Sequence, residues 1–272
     1  MWVSGARHAS AFLHAYFEKF DGPIVITLFR NSMMGIGLAC VLLAGDVRAS
    51  VTIGGTRVVY PLEQREVTVK LENDSRSPSL VQVWIDDGKA DAKPGEVKVP
   101  FVITPPIFRM DPKKAQTLRV MYTGEPLPQD RESVYWLNVL DIPPKAKTAA
   151  DVNTLTLAYR TRIKVFVRPG KLPGEPEDAP AQLSWEIAAS TDGKDQAVSV
   201  SNPTPYYVSF SEIHVESGGH TFSSQRGGMV APHASAVLPI AKMNAVAAGA
   251  KVHYVAISDY GGPIRGDAAL GD

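Results

Sequence analysis

Residues 154 to 168 read T-L-T-L-A-Y-R-T-R-I-K-V-F-V-R, fifteen residues without glycine or proline, and stop at Pro169-Gly170. As extended chain this stretch spans roughly 50 Å at about 3.3 Å per residue, well beyond an ordinary strand of five or six residues. Its first half alternates strictly: Leu155, Leu157 and Tyr159 fall on one face, Thr154, Thr156 and Ala158 on the other. Period two is the signature of a strand with one apolar side.

Outward from this stretch the pattern stays β. Upstream, Val67, Val69 and Leu71 alternate with Thr68, Lys70 and Glu72, and Leu80 to Ile85 forms another run. Asn73-Asp74-Ser75, Asp86-Asp87-Gly88 and Pro105-Pro106 supply turn signals between such runs. Seven or so short strands at this spacing predict a sandwich or barrel. Downstream, the Pro/Gly/acid segment from Pro169 to Pro180 marks a domain boundary. Beyond it a smaller β set follows: 183–189, 197–202, 206–216, 236–240 and 253–259. The Ala-rich stretch 244–250 is the longest helical candidate, and it is weak.

The N-terminus reads separately. Arg30 precedes an apolar run from Met33 to Gly45, and Ala49 offers a signal-peptidase site before Ser50. A dozen apolar residues fit a secretory signal and are short for a membrane span. Residues 1–29 lengthen the usual leader, which points to a start codon assigned too early. Cys40 is the one cysteine and lies within the apolar run. A mature chain from Ser50 therefore has no disulfide, thiol catalysis or Cys-ligated metal. It would carry 24 basic against 25 acidic side chains. That balance gives no basic surface for nucleic acid.

Several motifs resemble one family. These are T-R-V-V-Y-P (56–61), T-P-P-I-F-R-M-D-P (104–112), L-P-Q-D-R-E-S (127–133), D-I-P-P (141–144), T-R-I-K-V-F-V-R-P (161–169), N-P-T-P-Y-Y-V (202–208) and S-D-Y-G-G (258–262). In this order and at this spacing they are similar to the PapD-type periplasmic pilus chaperones of the chaperone–usher pathway. The resemblance implies an all-β fold of two immunoglobulin-like β-sandwich domains at an angle with a cleft between them. With the boundary above, it divides the chain into a signal region 1–49, an N-terminal domain 50–170 and a C-terminal domain 171–272. It also implies a periplasmic, non-enzymatic protein that lends a strand to incomplete pilus subunits and delivers them to an outer-membrane usher.

The site residues follow from the same resemblance. Arg57 and Lys164 match the family cations that anchor the subunit's C-terminal carboxylate, an acceptor suited to charge-assisted hydrogen bonds. Leu155, Leu157 and Tyr159 match the donated strand. Glu132, Arg168 and Asp259 match an ion cluster that bridges the domains and sets their geometry. The lack of mature cysteines agrees with the short-loop branch of the family, although the 141–154 loop is somewhat longer than in its plainest members. No cofactor, metal, nucleic acid or small-molecule substrate is implied; a self-capping dimer of the free chaperone is left open. Two rival classes stand beside this reading. His214, His220, His233 and His253 raise the question of a metal enzyme, but lack ligand spacing. A structural or adhesive sandwich module, or a fibre subunit, would share the β pattern.

Overall fold

The computed structural model describes residues 51–145, 155–189, 196–224, 227–243 and 246–271. The signal region, Cys40 and most of the 141–154 loop lie outside the described residues. All described residues belong to the unit Ala49–Asp272.

The first half builds nine strands: β1 (Val51–Ile53), β2 (Arg57–Pro61), β3 (Glu66–Asn73), β4 (Ser79–Asp86), β5 (Phe101–Thr104), β6 (Ile107–Met110), β7 (Ala115–Tyr122), β8 (Ser133–Ile142) and β9 (Tyr159–Arg168). They form two sheets, ordered β1-β3-β7-β5 and β2-β9-β8-β4-β6. Alternation decides which side of each strand is buried. In β3, Val69 and Leu71 point inward while Thr68 and Lys70 stay in water. Facing residues from the two sheets close one core around Tyr60, Leu71, Val81, Leu118, Leu137 and Val165.

The second half adds β10 (Ser184–Ala189), β11 (Gln196–Asn202), β12 (Val208–Ser217), β13 (His220–Ser223), β14 (Gly228–Val230), β15 (Ala234–Pro239), β16 (Lys251–Ile257) and β17 (Pro263–Ala269). Its sheets run β10-β11-β15 and β13-β12-β16-β17, with β14 also on β12. A separate core gathers Trp185, Val200, Phe210, Ile213, Ile240 and Val252. Trp185, Phe210 and Tyr254 pack ring on ring at its centre, with centroids 5.4 to 5.9 Å apart. The chain is thus all-β, with two sandwiches and two cores.

Three sequence expectations need correction. The stretch 154–168 is not one strand of fifteen residues: β9 begins at Tyr159, and residues 155–158 carry no ladder. The reason is its neighbour. β8 pairs with β9 from Ser133 to Asp141 and ends at Ile142, where Pro143 and Pro144 have no N–H to offer. The described part of the Ala-rich candidate, 246–250, is a turn and not a helix, while 244–245 lie outside the described residues. Strand β17 went unread because Pro263 and Gly266 disguise it. Pro263 stands at its first position, where a missing N–H is tolerated. Gly266 is needed because any side chain there would run into the ring of Tyr254.

Candidate functional site

Strand β9 holds most of the site. Its odd residues Ile163, Val165 and Val167 enter the first core, and its even residues Arg160, Arg162, Lys164, Phe166 and Arg168 face the other way. On one side β8 pairs along almost its whole length. On the other, β2 pairs in parallel from Arg57↔Lys164 to Pro61↔Arg168. Among the described residues, no strand pairs with that second edge from Tyr159 to Ile163. The odd face continues there into solvent. Tyr159 is 54% exposed, Leu157 50% and Leu155 85%. None of the three joins the core, so an apolar side and an unpaired backbone edge lie together in water.

Where β2 begins, Arg57 and Lys164 are direct cross-strand partners. Lys164 Nζ donates to Ser209 Oγ at 2.9 Å, and Arg57 Nη1 donates to the Ile257 carbonyl at 2.9 Å. Both partners are neutral, and Arg57 Nε is buried without a hydrogen-bond partner. Burial, with Arg57 beside it, lowers the Lys164 ammonium to about 8. Burial likewise pulls the Arg57 guanidinium below its ordinary value, which Asp259 and Glu132 partly offset. Two cations held close in partial burial without a carboxylate contact are an unfavourable arrangement until an anion joins them. They border a cleft of about 420 Å³ also lined by Thr56, Trp136, Arg162 and the 261–263 turn of the second sandwich.

Four residues along the strand from Lys164, Arg168 bridges the two sandwiches. Its Nε donates to Glu132 Oε1 at 2.7 Å, and its Nη1 and Nη2 donate to Asp259 at 2.6 and 2.9 Å. Burial works against the Arg168 charge, but the bonds to Asp259 and the charge of Glu132 reverse that and raise its pKa. Burial pushes the Glu132 carboxyl above its usual range, against the pull of Arg168 and of the Tyr207 N–H. Tyr207 N donates to Glu132 Oε2 at 2.7 Å, and Glu132 N donates to the Pro205 carbonyl at 2.9 Å. Thus the L-P-Q-D-R-E-S and N-P-T-P-Y-Y motifs meet. Asn202 shapes the second: its Oδ1 accepts from Thr204 N, and its Nδ2 donates to the carbonyls of Tyr206 and Ala231. Gly261, at φ +82°, lies against Thr56, where a side chain would collide.

All eight residues singled out in the sequence therefore lie on or around β9, six of them in described strands or at the sandwich junction and Leu155 and Leu157 just ahead of it. Sequence reasoning did not find Ser209 or the Ile257 carbonyl, contacts set only by how the sandwiches meet. It also missed Trp84, Asp86, Trp136, Asn138, Arg160 and Arg162, which interlock beside the unpaired edge. Their one signal is two arginines at alternate positions of β9. The histidines group only in part: His214 and His253 are cross-strand partners, and His253 bonds Asp267 and Glu216. Among the described residues no group is arranged to hold a metal.

With this geometry in view, known proteins can be set beside the chain. The pili and flagellar-assembly chaperone profile of the PapD N-terminal domain matches residues 50–173, and that of the PapD C-terminal domain matches 178–268. The probable fimbrial chaperone YadV of Escherichia coli K12 is 45% identical over 236 residues, covering 86% of this chain and 95% of its own. The chaperone protein FimB/FhaD of Bordetella pertussis is 46% identical over 250 residues, covering 89% and 98%. The crystal structure of a YadV chaperone matches with a TM-score of 0.70 at 43% identity over 82% of this chain and 100% of that one. The SafB chaperone of Salmonella enterica, in complex with the SafA pilin, matches with a TM-score of 0.66 at 27% identity over 83% and 99%. The chain belongs to the PapD family of pilus-assembly chaperones, proteins that are periplasmic in their role, and is a fimbrial chaperone of the chaperone–usher pathway.

Proposed function

We propose that the protein captures pilus subunits by donor-strand complementation and passes them to an outer-membrane usher, a non-catalytic role performed in the periplasm after residues 1–49 are removed. In this reading 50–170 and 171–272 are the two working domains. The observation that carries it is the free half of β9, an edge from Tyr159 to Ile163 that no strand among the described residues pairs with, and whose apolar side runs out of the core into water at Tyr159, Leu157 and Leu155. A long exposed apolar edge invites pairing with another chain and is a liability unless it has a partner.

Leu155, Leu157 and Tyr159 would fill the subunit's incomplete core, while its terminal carboxylate joins Arg57 and Lys164. A subunit chain ending there and pairing back from Ile163 to Tyr159 runs parallel to β9. It continues the line that β2 occupies beyond Lys164. Glu132, Arg168 and Asp259 would fix how the two sandwiches meet, and so where the cleft opens, without touching the client. The complex of the SafB relative with a pilin supports this class of partner.

The test is co-expression with a secreted pilus subunit and size exclusion of the periplasmic extract. A soluble 1:1 complex is expected from wild type, and Lys164→Ala should fold but leave the subunit to degrade. Normal subunit yield with Lys164→Ala would overturn the anchor. Self-polymerisation of the chain would instead favour a fibre subunit.

A further inference from the structure

The even face of β9 carries a cluster that the anchoring pair does not account for. Asp86, fully buried at the end of β4, accepts from Asn138 Nδ2 at 2.7 Å, from Arg162 Nε at 3.0 Å and from Gly88 N at 2.8 Å. Arg160 Nη2 stands 3.6 Å from the same carboxylate, and its Nε and Nη2 donate to Asn138 Oδ1 at 2.9 and 2.7 Å. Both guanidinium groups lie over indoles: Arg160 over Trp84 and Arg162 over Trp136, each 4.7 Å from the ring centroid. Burial works to raise the Asp86 carboxyl, but the bonds from Arg162 and Asn138 reverse this and lower it. The carboxylate is therefore ionised and its acceptor sites are occupied.

The lattice keeps two flexible side chains flat on one sheet face, which removes most of the entropy cost of ordering them on binding. Register explains the placement. Asn138 pairs with Arg162, Trp136 with Lys164, and Lys164 with Arg57, so these side chains share a face in adjacent rows. Arg162 also lines the cleft that Arg57 and Lys164 border, and the Arg160 and Arg162 side chains keep 28% and 23% of their surface in solvent.

Charge then selects what can lie there. Along this face Arg57, Arg160, Arg162, Lys164 and Arg168 face the carboxylates Asp86, Glu132 and Asp259. Two positive charges are left over. A terminal carboxylate answers one of them. We infer that Arg160 and Arg162, held by Asp86 against Trp84 and Trp136, form a second, charge-selecting subsite, and that the subunit strand adding to the free edge of β9 presents an acidic side chain there. This rests on the capture reading above. Partners in a parallel ladder share a face, as Arg57 and Lys164 do. Arg57 fills the place opposite Lys164, so the strand's last residue stands opposite Ile163 and brings its second and fourth residues from the end beside Arg162 and Arg160.

The experiment uses two synthetic peptides of equal length and composition, each with a free carboxyl end and the same alternating apolar residues. One carries glutamates at the second and fourth positions from the end and glutamines at its far N-terminus; the other exchanges them. By fluorescence anisotropy at low salt, wild type should bind the first roughly fivefold more tightly, and added salt should shrink the gap. Arg162→Gln should erase the preference. Arg160→Gln, which leaves the Asp86–Arg162 pair in place, should reduce it and guards against misfolding of the first variant. Lys164→Ala should weaken both peptides alike. Equal affinities in wild type, or a preference that survives both arginine variants, would overturn the subsite alone. A wild type that binds neither peptide would overturn the capture reading and the subsite with it.

Discussion

At Lys164, the ammonium loses water on folding and has Arg57 as its cross-strand neighbour, so its pKa falls to about 8. In the unfolded chain the same group titrates near 10.4. Between these values the unfolded chain binds more protons, so this group makes stability rise with pH from about 8 upward. Chemical denaturation should show such a rise in the free protein and its loss in Lys164→Met. A carboxylate needs the charged form, so subunit affinity should move the opposite way and weaken above about pH 8. A pH-independent affinity between 7 and 10 would rule out Lys164 as an anchor. Loss of either cation should cost roughly 2–5 kcal/mol of binding, as expected for a desolvated charge contact. Both residues were legible in the sequence through the motifs that contain them. Their neutral partners Ser209 and Ile257 were not, because no local pattern encodes a contact spanning 45 or 200 residues.

Within β9, one alternation serves two purposes. Ile163, Val165 and Val167 complete the protein's own core, and the same side carries on as Tyr159, Leu157 and Leu155 in water. Leu137 of β8 is fully buried, and Leu137→Ala should destabilise the protein by about 2–5 kcal/mol. Leu157→Ala should stay within about 0.5 kcal/mol in the free protein, yet weaken subunit capture. Comparable losses of stability for the two, read from urea midpoints, would place Leu157 in the core. Facing has its own check: Leu157→Asp should impair capture more than Thr156→Asp, and equal effects would refute it. The period-two pattern was readable from residue types alone. Where the ladder begins was not, because a strand needs a neighbour to bond, and β8 ends at Ile142 before two prolines.

Across the whole molecule, Arg168 ties the halves together. Removing it in Arg168→Met would leave Glu132 buried without its ion-pair partner and should cost about 3–5 kcal/mol. Asp259→Ala should cost less, since Arg168 keeps Glu132 and the Asp259 side chain is 20% exposed. Urea unfolding of both variants decides this, and equal costs would mean the triad is not organised around the arginine. Residue types and their spacing were enough to establish the all-β class, the two sets of strands and the alternating faces, because pleating makes every second side chain share a side whatever the fold. The remainder depended on tertiary contacts: which edge of β9 lacks a partner, the meeting of Glu132 with Tyr207, and the stacking of Arg160 and Arg162 on two tryptophans around Asp86. Sheet order and the junction of two cores bring these groups together from strands far apart in the chain, and one-dimensional periodicity carries no record of such pairings.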